Sequence, residues 1–201
     1  MEGTNPVNKK LAAALSGGAV LVLALTGCSS DEGNKELDAW AKKVCDPVPA
    51  QNTKISAAYD AITKAAKDTT STPEELQKTD SQAFQDLAEG YKARADVIDK
   101  AGAPPGVEGG ATKQRDAVTK LTSLSTAYAD LKKKVDELDT KNQGKFATGL
   151  KTVSAEMKQM ESQRNSALTA LKNLEQGDTK QALAEQTGCK QATTSAPATK
   201  S

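Results

Sequence analysis

Two stretches in the second half of the chain repeat apolar residues at alternating spacings of three and four, which commits them to packed helices. One runs Leu121, Leu124, Tyr128, Leu131, Val135, Leu138. The other runs Phe146, Leu150, Val153, Met157, Met160, Arg164, Ala167, Leu171, Leu174. This spacing lays one stripe of side chains along a helix, the narrow seam by which antiparallel bundles and coiled coils pack. Thr140-Lys141-Asn142-Gln143-Gly144 between them makes a short turn, so the two helices are expected to be antiparallel neighbours.

The first half carries the same period less regularly. Leu37, Trp40, Ala41 and Val44 predict a short helix that stops near Cys45. Asp46-Pro47-Val48-Pro49 interrupts it, because proline lacks a donor and pushes its predecessor from helical angles. Ile55, Tyr59, Ile62 and Ala66 resume the period, giving one helix broken by prolines. A second helix starts at Thr72-Pro73, with Glu75 placed for a capping box. Its seam is Leu76, Ala83, Phe84, Leu87, Tyr91, Ala95 and Ile98, and it ends by Gly102, before Pro104-Pro105-Gly106 and Gly109-Gly110. Gly177 closes the fourth helix, and Asp178 is placed to cap a short last helix through Ala182 and Leu183 to Cys189. Residues 190–201, rich in Thr, Ser, Ala and Pro, are expected to be a disordered tail.

The N-terminus has an export pattern. Lys9 and Lys10 precede an apolar run from Leu11 to Leu25, too short to span a membrane comfortably. Leu25-Thr26-Gly27-Cys28 resembles the bacterial lipobox. That resemblance implies a signal peptide over 1–27, a diacylglyceryl group on the thiol of Cys28, and cleavage that makes Cys28 the new N-terminus. Residues 28–35 then form a lipidated tether, and 36–189 the helical domain. The chain is expected at the extracytoplasmic face of the cell membrane, with that membrane as its first partner.

Beyond residue 27, basic and acidic residues number 25 each. A balanced chain has no overall field to attract nucleic acid or an anionic surface. Its six aromatics (Trp40, Tyr59, Phe84, Tyr91, Tyr128, Phe146) are not interleaved with basic clusters, so nucleic-acid binding is set aside. Leu, Ile, Val and Phe are sparse in that stretch and alanine is abundant, which suits slender helices on thin seams.

With Cys28 lipidated, Cys45 and Cys189 are left as one intramolecular pair, and an exported compartment favours its oxidation. Two free thiols or a metal pair are the alternatives, and no histidine is present to complete a common metal site. A bond between the start and the end of a set of long helices requires an even number of them, since disulfide Cα atoms lie within about 7 Å. The expected fold is therefore all-α, an antiparallel up-down-up-down four-helix bundle with a short C-terminal helix.

Little chemistry is written in the chain. Without histidine there is no Ser-His-Asp or Cys-His arrangement. The glycines at 102, 106, 109 and 110 follow a helix and lack a phosphate-loop lysine. No calcium-type loop appears, so neither metal nor cofactor is expected. Acids stand before lysines at i, i+4 (Asp60/Lys64, Asp96/Lys100, Asp116/Lys120, Asp130/Lys134, Glu137/Lys141), and Lys132-Lys133-Lys134 reads as a solvated face. The residues that fit worst are Arg164, charged on a seam, and Arg94, beside one. Their heads either snorkel or pair with an acid, or they contact an anion or ligand within the bundle.

Several features taken together resemble secreted lipoproteins of actinobacteria: the lipobox, Trp40 to Asp46 as Trp-x-x-x-x-Cys-Asp, Ala103-Pro104-Pro105, and a near-C-terminal cysteine. The resemblance implies a family of unknown activity, so no catalytic residue carries over. The expectation is a non-enzymatic binding or structural module with an envelope protein or cell-wall partner. The alternative is a small-molecule or solute receptor with a pocket inside the bundle. A pocket lined by polar seam residues would favour the receptor, and a filled bundle with an exposed lateral groove the first reading.

Overall fold

The computed structural model describes residues 30–194, and among these all regular structure is helical. Residues 1–29, which include the expected signal segment 1–27 and Cys28, and residues 195–201 lie outside the described residues. The helices are α1 (Ser30–Cys45), α2 (Val48–Ala65), α3 (Pro73–Ala101), α4 (Gly110–Asp136), α5 (Gln143–Gln159), α6 (Glu161–Leu174), α7 (Asp178–Glu185) and α8 (Thr187–Thr194). None is long and apolar enough to cross a membrane.

Local signals account for most boundaries. Thr72 and Glu75 form the expected capping box, each side chain taking the other's backbone N–H, at 3.3 and 2.8 Å. Pro47, at the N-cap of α2, and Pro49, in its first turn, divide α1 from α2 where a missing donor is harmless. Four expectations need correction. Helix α1 begins at Ser30, so the stretch read as a tether is helical from its third residue. The fourth helix is split at Met160, although φ −73° and ψ −10° keep that residue right-handed and Arg164 N–H still reaches its carbonyl. The short last helix is two, because Gln186 takes extended angles, φ −78° and ψ 131°, between α7 and α8; Lys190 to Thr194 thus extend α8 instead of starting the tail. Asp178 is the first helical residue rather than a cap. The N-cap position belongs to Gly177 at φ 68°, and the fully buried Thr179 hydroxyl bonds the carbonyls of Leu174 and Gln176.

Seam residues are where burial is found. Leu121, Leu124, Tyr128, Leu131 and Val135 are all buried, as are Ala83, Phe84, Leu87, Tyr91, Ala95 and Ile98. Ala66, the last residue expected on the α2 seam, is exposed. Helices α3 and α4 run antiparallel. At one end the Gln77 amide donates to the carbonyls of Val135 and Leu138, at 2.8 and 3.0 Å. Midway the Ser125 hydroxyl donates to Ala88 at 2.7 Å, and at the far end Gln114 donates to Ile98. Helix α2 lies close on α3, where a Cβ on Gly90 would come within 2.6 Å of Ile55.

The first and last helices close on each other. Cys45 and Cys189 are disulfide-bonded, with Cα atoms 5.1 Å apart. Beside the bond, Gly188 lies so near α1 that a Cβ would stand 2.2 Å from the Cys45 carbonyl oxygen. Trp40 Nε1 donates to the Gly102 carbonyl at 2.9 Å, tying α1 to the end of α3.

The surface charges pair, but not with the partners read from the sequence. Asp96 takes Lys92 rather than Lys100, and Asp130 takes Lys133. Lys132 pairs with Asp136, and Lys134 reaches across to Glu156 on α5. These pairs are solvent-exposed and contribute little each.

Candidate functional site

The prolines that start α2 wind its first turn against α1, and the Gln51 N–H closes back on the Pro47 carbonyl at 3.2 Å. This turn presents Gln51 and Asn52 to a cavity of ≈ 720 Å3, a size typical of small-molecule sites. Trp40 and Val44 of α1 form one apolar wall, Val97 and Ile98 of α3 another, and Leu171 and Leu174 of α6 a third. Helices α7 and α8 complete it with Leu183, Ala184 and Cys189, so the disulfide is part of the lining.

Arg94 enters this apolar space from α3. Its Nη2 donates to Asn52 Oδ1 at 2.6 Å, and it forms no ion pair among the described residues. Burial lowers its pKa from the ordinary guanidinium value, while Tyr91 and Glu175 act against that shift. Glu175 stands at the rim, open to solvent on one side; crowding on its other side raises its carboxyl above the usual range, opposed by Arg94 and Lys172. Gln51 is only 8 % exposed, and its Oε1 is buried with no hydrogen-bond partner. A buried acceptor left unpaired costs roughly 1–3 kcal/mol. The cavity thus holds a cation with no acid paired to it, anchored by Asn52 of the first turns of α2.

Arg164, the other arginine singled out in the sequence, does not join this site. Its guanidinium lies over the Tyr59 ring, 5.9 Å from the centroid, a cation–π contact. Beneath it the Tyr59 hydroxyl bonds those of Tyr128 at 2.5 Å and Tyr91 at 3.2 Å, so α2, α3, α4 and α6 meet at one group of side chains. Tyr91 stacks on Tyr128 with ring centroids 5.6 Å apart. Burial first, and then Tyr59, push the Tyr91 and Tyr128 phenols upward, which keeps them neutral. The hydroxyls satisfy one another, and nothing in the cluster asks for a ligand.

The sequence flagged Arg94 but missed Gln51 and Asn52. A signal was present: extending the α2 stripe one turn back from Ile55 lands on Gln51, a polar residue on a buried face. Among the described residues no group of three or more acidic or cysteine side chains is placed to hold a metal ion. Compared with known family models, curated proteins and solved structures, the chain matches none.

Proposed function

We propose that the chain is a lipoprotein held at the extracytoplasmic face of the cell membrane through Cys28, and that its helical domain is a non-enzymatic receptor for a small molecule. One observation carries the second half. Arg94, which pairs with no acid, lines a single cavity walled by apolar side chains. Charged and polar groups in such a wall destabilise the empty protein, and a ligand that pairs them recovers the loss. The reading as a module for an envelope protein has less behind it. Leu168, 43 % exposed, is the exposed large apolar side chain among the described residues, and one such residue makes no docking patch.

The up-down-up-down arrangement belongs to this proposal. In it α1 with α2 forms one rod, α3 and α4 the second and third, and α5 with α6 the fourth, while α7 and α8 return to the first. The antiparallel α3 and α4 and the covalent join of α1 to α8 support it.

The membrane half rests on the lipobox-like Leu25-Thr26-Gly27-Cys28. A diacylglyceryl anchor holds a protein stably where a single chain does not. Cells fed radioactive palmitate should label the chain, and Cys28→Ala should lose the label and leave the membrane fraction. Unchanged labelling would remove the anchor from the proposal. For the receptor, native mass spectrometry of the protein extracted from its own membrane should show a bound small molecule. Ala184→Trp, which adds an indole at the exposed edge of the cavity, should abolish that adduct while the protein stays folded. No adduct on the native chain, or equal adducts on both, would defeat the receptor reading.

A further inference from the structure

The polar groups of the cavity specify the chemistry of what fills it, and this step rests on the cavity being the binding seat. A guanidinium has five N–H donors in a planar fork, and Asn52 accepts from one nitrogen of Arg94. The remaining donors have no protein acceptor among the described residues. Glu175 acts on Arg94 electrostatically but makes no ion pair with it. The geometry that satisfies such a fork in an apolar surround is a bidentate carboxylate. A phosphate would bring up to two charges to a single deep cation. The other cations of the lining, Lys172, Lys180 and Lys190, are exposed residues.

The rest of the ligand must be apolar, to lie against Trp40, Val97, Leu171 and Leu183.

We propose that the cavity binds an amphipathic carboxylate, with the carboxylate on Arg94 and the hydrocarbon against the apolar walls. Lys172 and Lys180 attract the anion, so binding weakens with ionic strength.

The test is calorimetric titration of the full-length lipoprotein in lipid nanodiscs, with empty nanodiscs as the blank. Three probes share one chain length: octanoate, 1-octanol and octyl phosphate. The carboxylate should bind at least tenfold more tightly than the alcohol. This rank order is read on the native protein and depends on no variant. Arg94→Met should erase the advantage of the acid over the alcohol. If octanol binds as well as octanoate, the anion requirement is wrong, yet a neutral adduct in native mass spectrometry would leave the receptor reading standing. If octyl phosphate binds most tightly, the head group is a phosphate and the carboxylate is refuted. Absence of binding by all three overturns the ligand class, and absence of any native adduct as well removes the receptor reading with it.

Discussion

Replacing Cys45 and Cys189 together by alanine should lower the midpoint of thermal unfolding by about 10–20 °C. The bond joins residues 144 apart in sequence. Without it the unfolded chain regains the freedom of a loop of that length, which the chain-entropy model values at about 5 kcal/mol. For a domain of this size each kcal/mol moves the midpoint by about 2–4 °C. The lost sulfurs add little, since α1 keeps Leu37, Trp40 and Ala41 buried around the site. The loss should be local before it is global. Helices α7 and α8 rest mainly on α1 and α2, whereas α3 and α4 share a long buried seam of their own. Circular dichroism at 20 °C should therefore remain strongly helical while the proposed ligand binding is lost, because Leu183, Ala184 and Cys189 form one wall of the cavity. Calorimetry of the double variant, with the native protein in reductant as the side-chain control, measures both effects. A midpoint shift below about 3 °C would refute the loop-entropy reasoning. Loss of helical signal at 20 °C would show that the seams cannot hold without the bond.

Three further expectations follow from single contacts. Gly188→Ala places a methyl against the Cys45 carbonyl, which is backbone and cannot swing away, and should cost about 1–3 kcal/mol in urea unfolding; Gly144→Ala, whose Cβ meets only Asn142 Oδ1 at 3.5 Å, should change little. Asp80 is half-buried with Oδ1 unpartnered, and burial raises its pKa from 3.8 to about 6. Between those values the folded chain binds more protons than the unfolded one, so this residue's contribution to stability falls as pH rises from about 4 to 6; Asp80→Asn should flatten that part of the profile, and an unchanged slope would exclude Asp80 as its source. Arg164→Met should cost no more than about 1 kcal/mol, the worth of a partly exposed cation–π contact, and a loss above 3 kcal/mol would mean that the tyrosine cluster depends on that charge.

The sequence alone determined the helical class, the buried stripes and the break at the prolines, because these are properties of short stretches. A spacing of three and four commits Leu121 to Val135 to one face whatever packs on it, and Thr72, Pro73 and Glu75 cap their helix with no help from elsewhere. The pairing of Cys45 with Cys189 was legible by elimination, once Cys28 is read as the cysteine of a lipobox and set aside. Partner choice was not legible. Lys134 faces Asp130 one turn away yet reaches Glu156 on another helix, a choice set by how α4 and α5 lie together. The cavity belongs to the tertiary structure entirely. Gln51, Arg94, Leu174 and Cys189 come from four helices spread over most of the domain. A polar residue on a buried stripe looks the same in sequence whether it meets a partner or an empty space, and only the packing of all the helices decides which it meets.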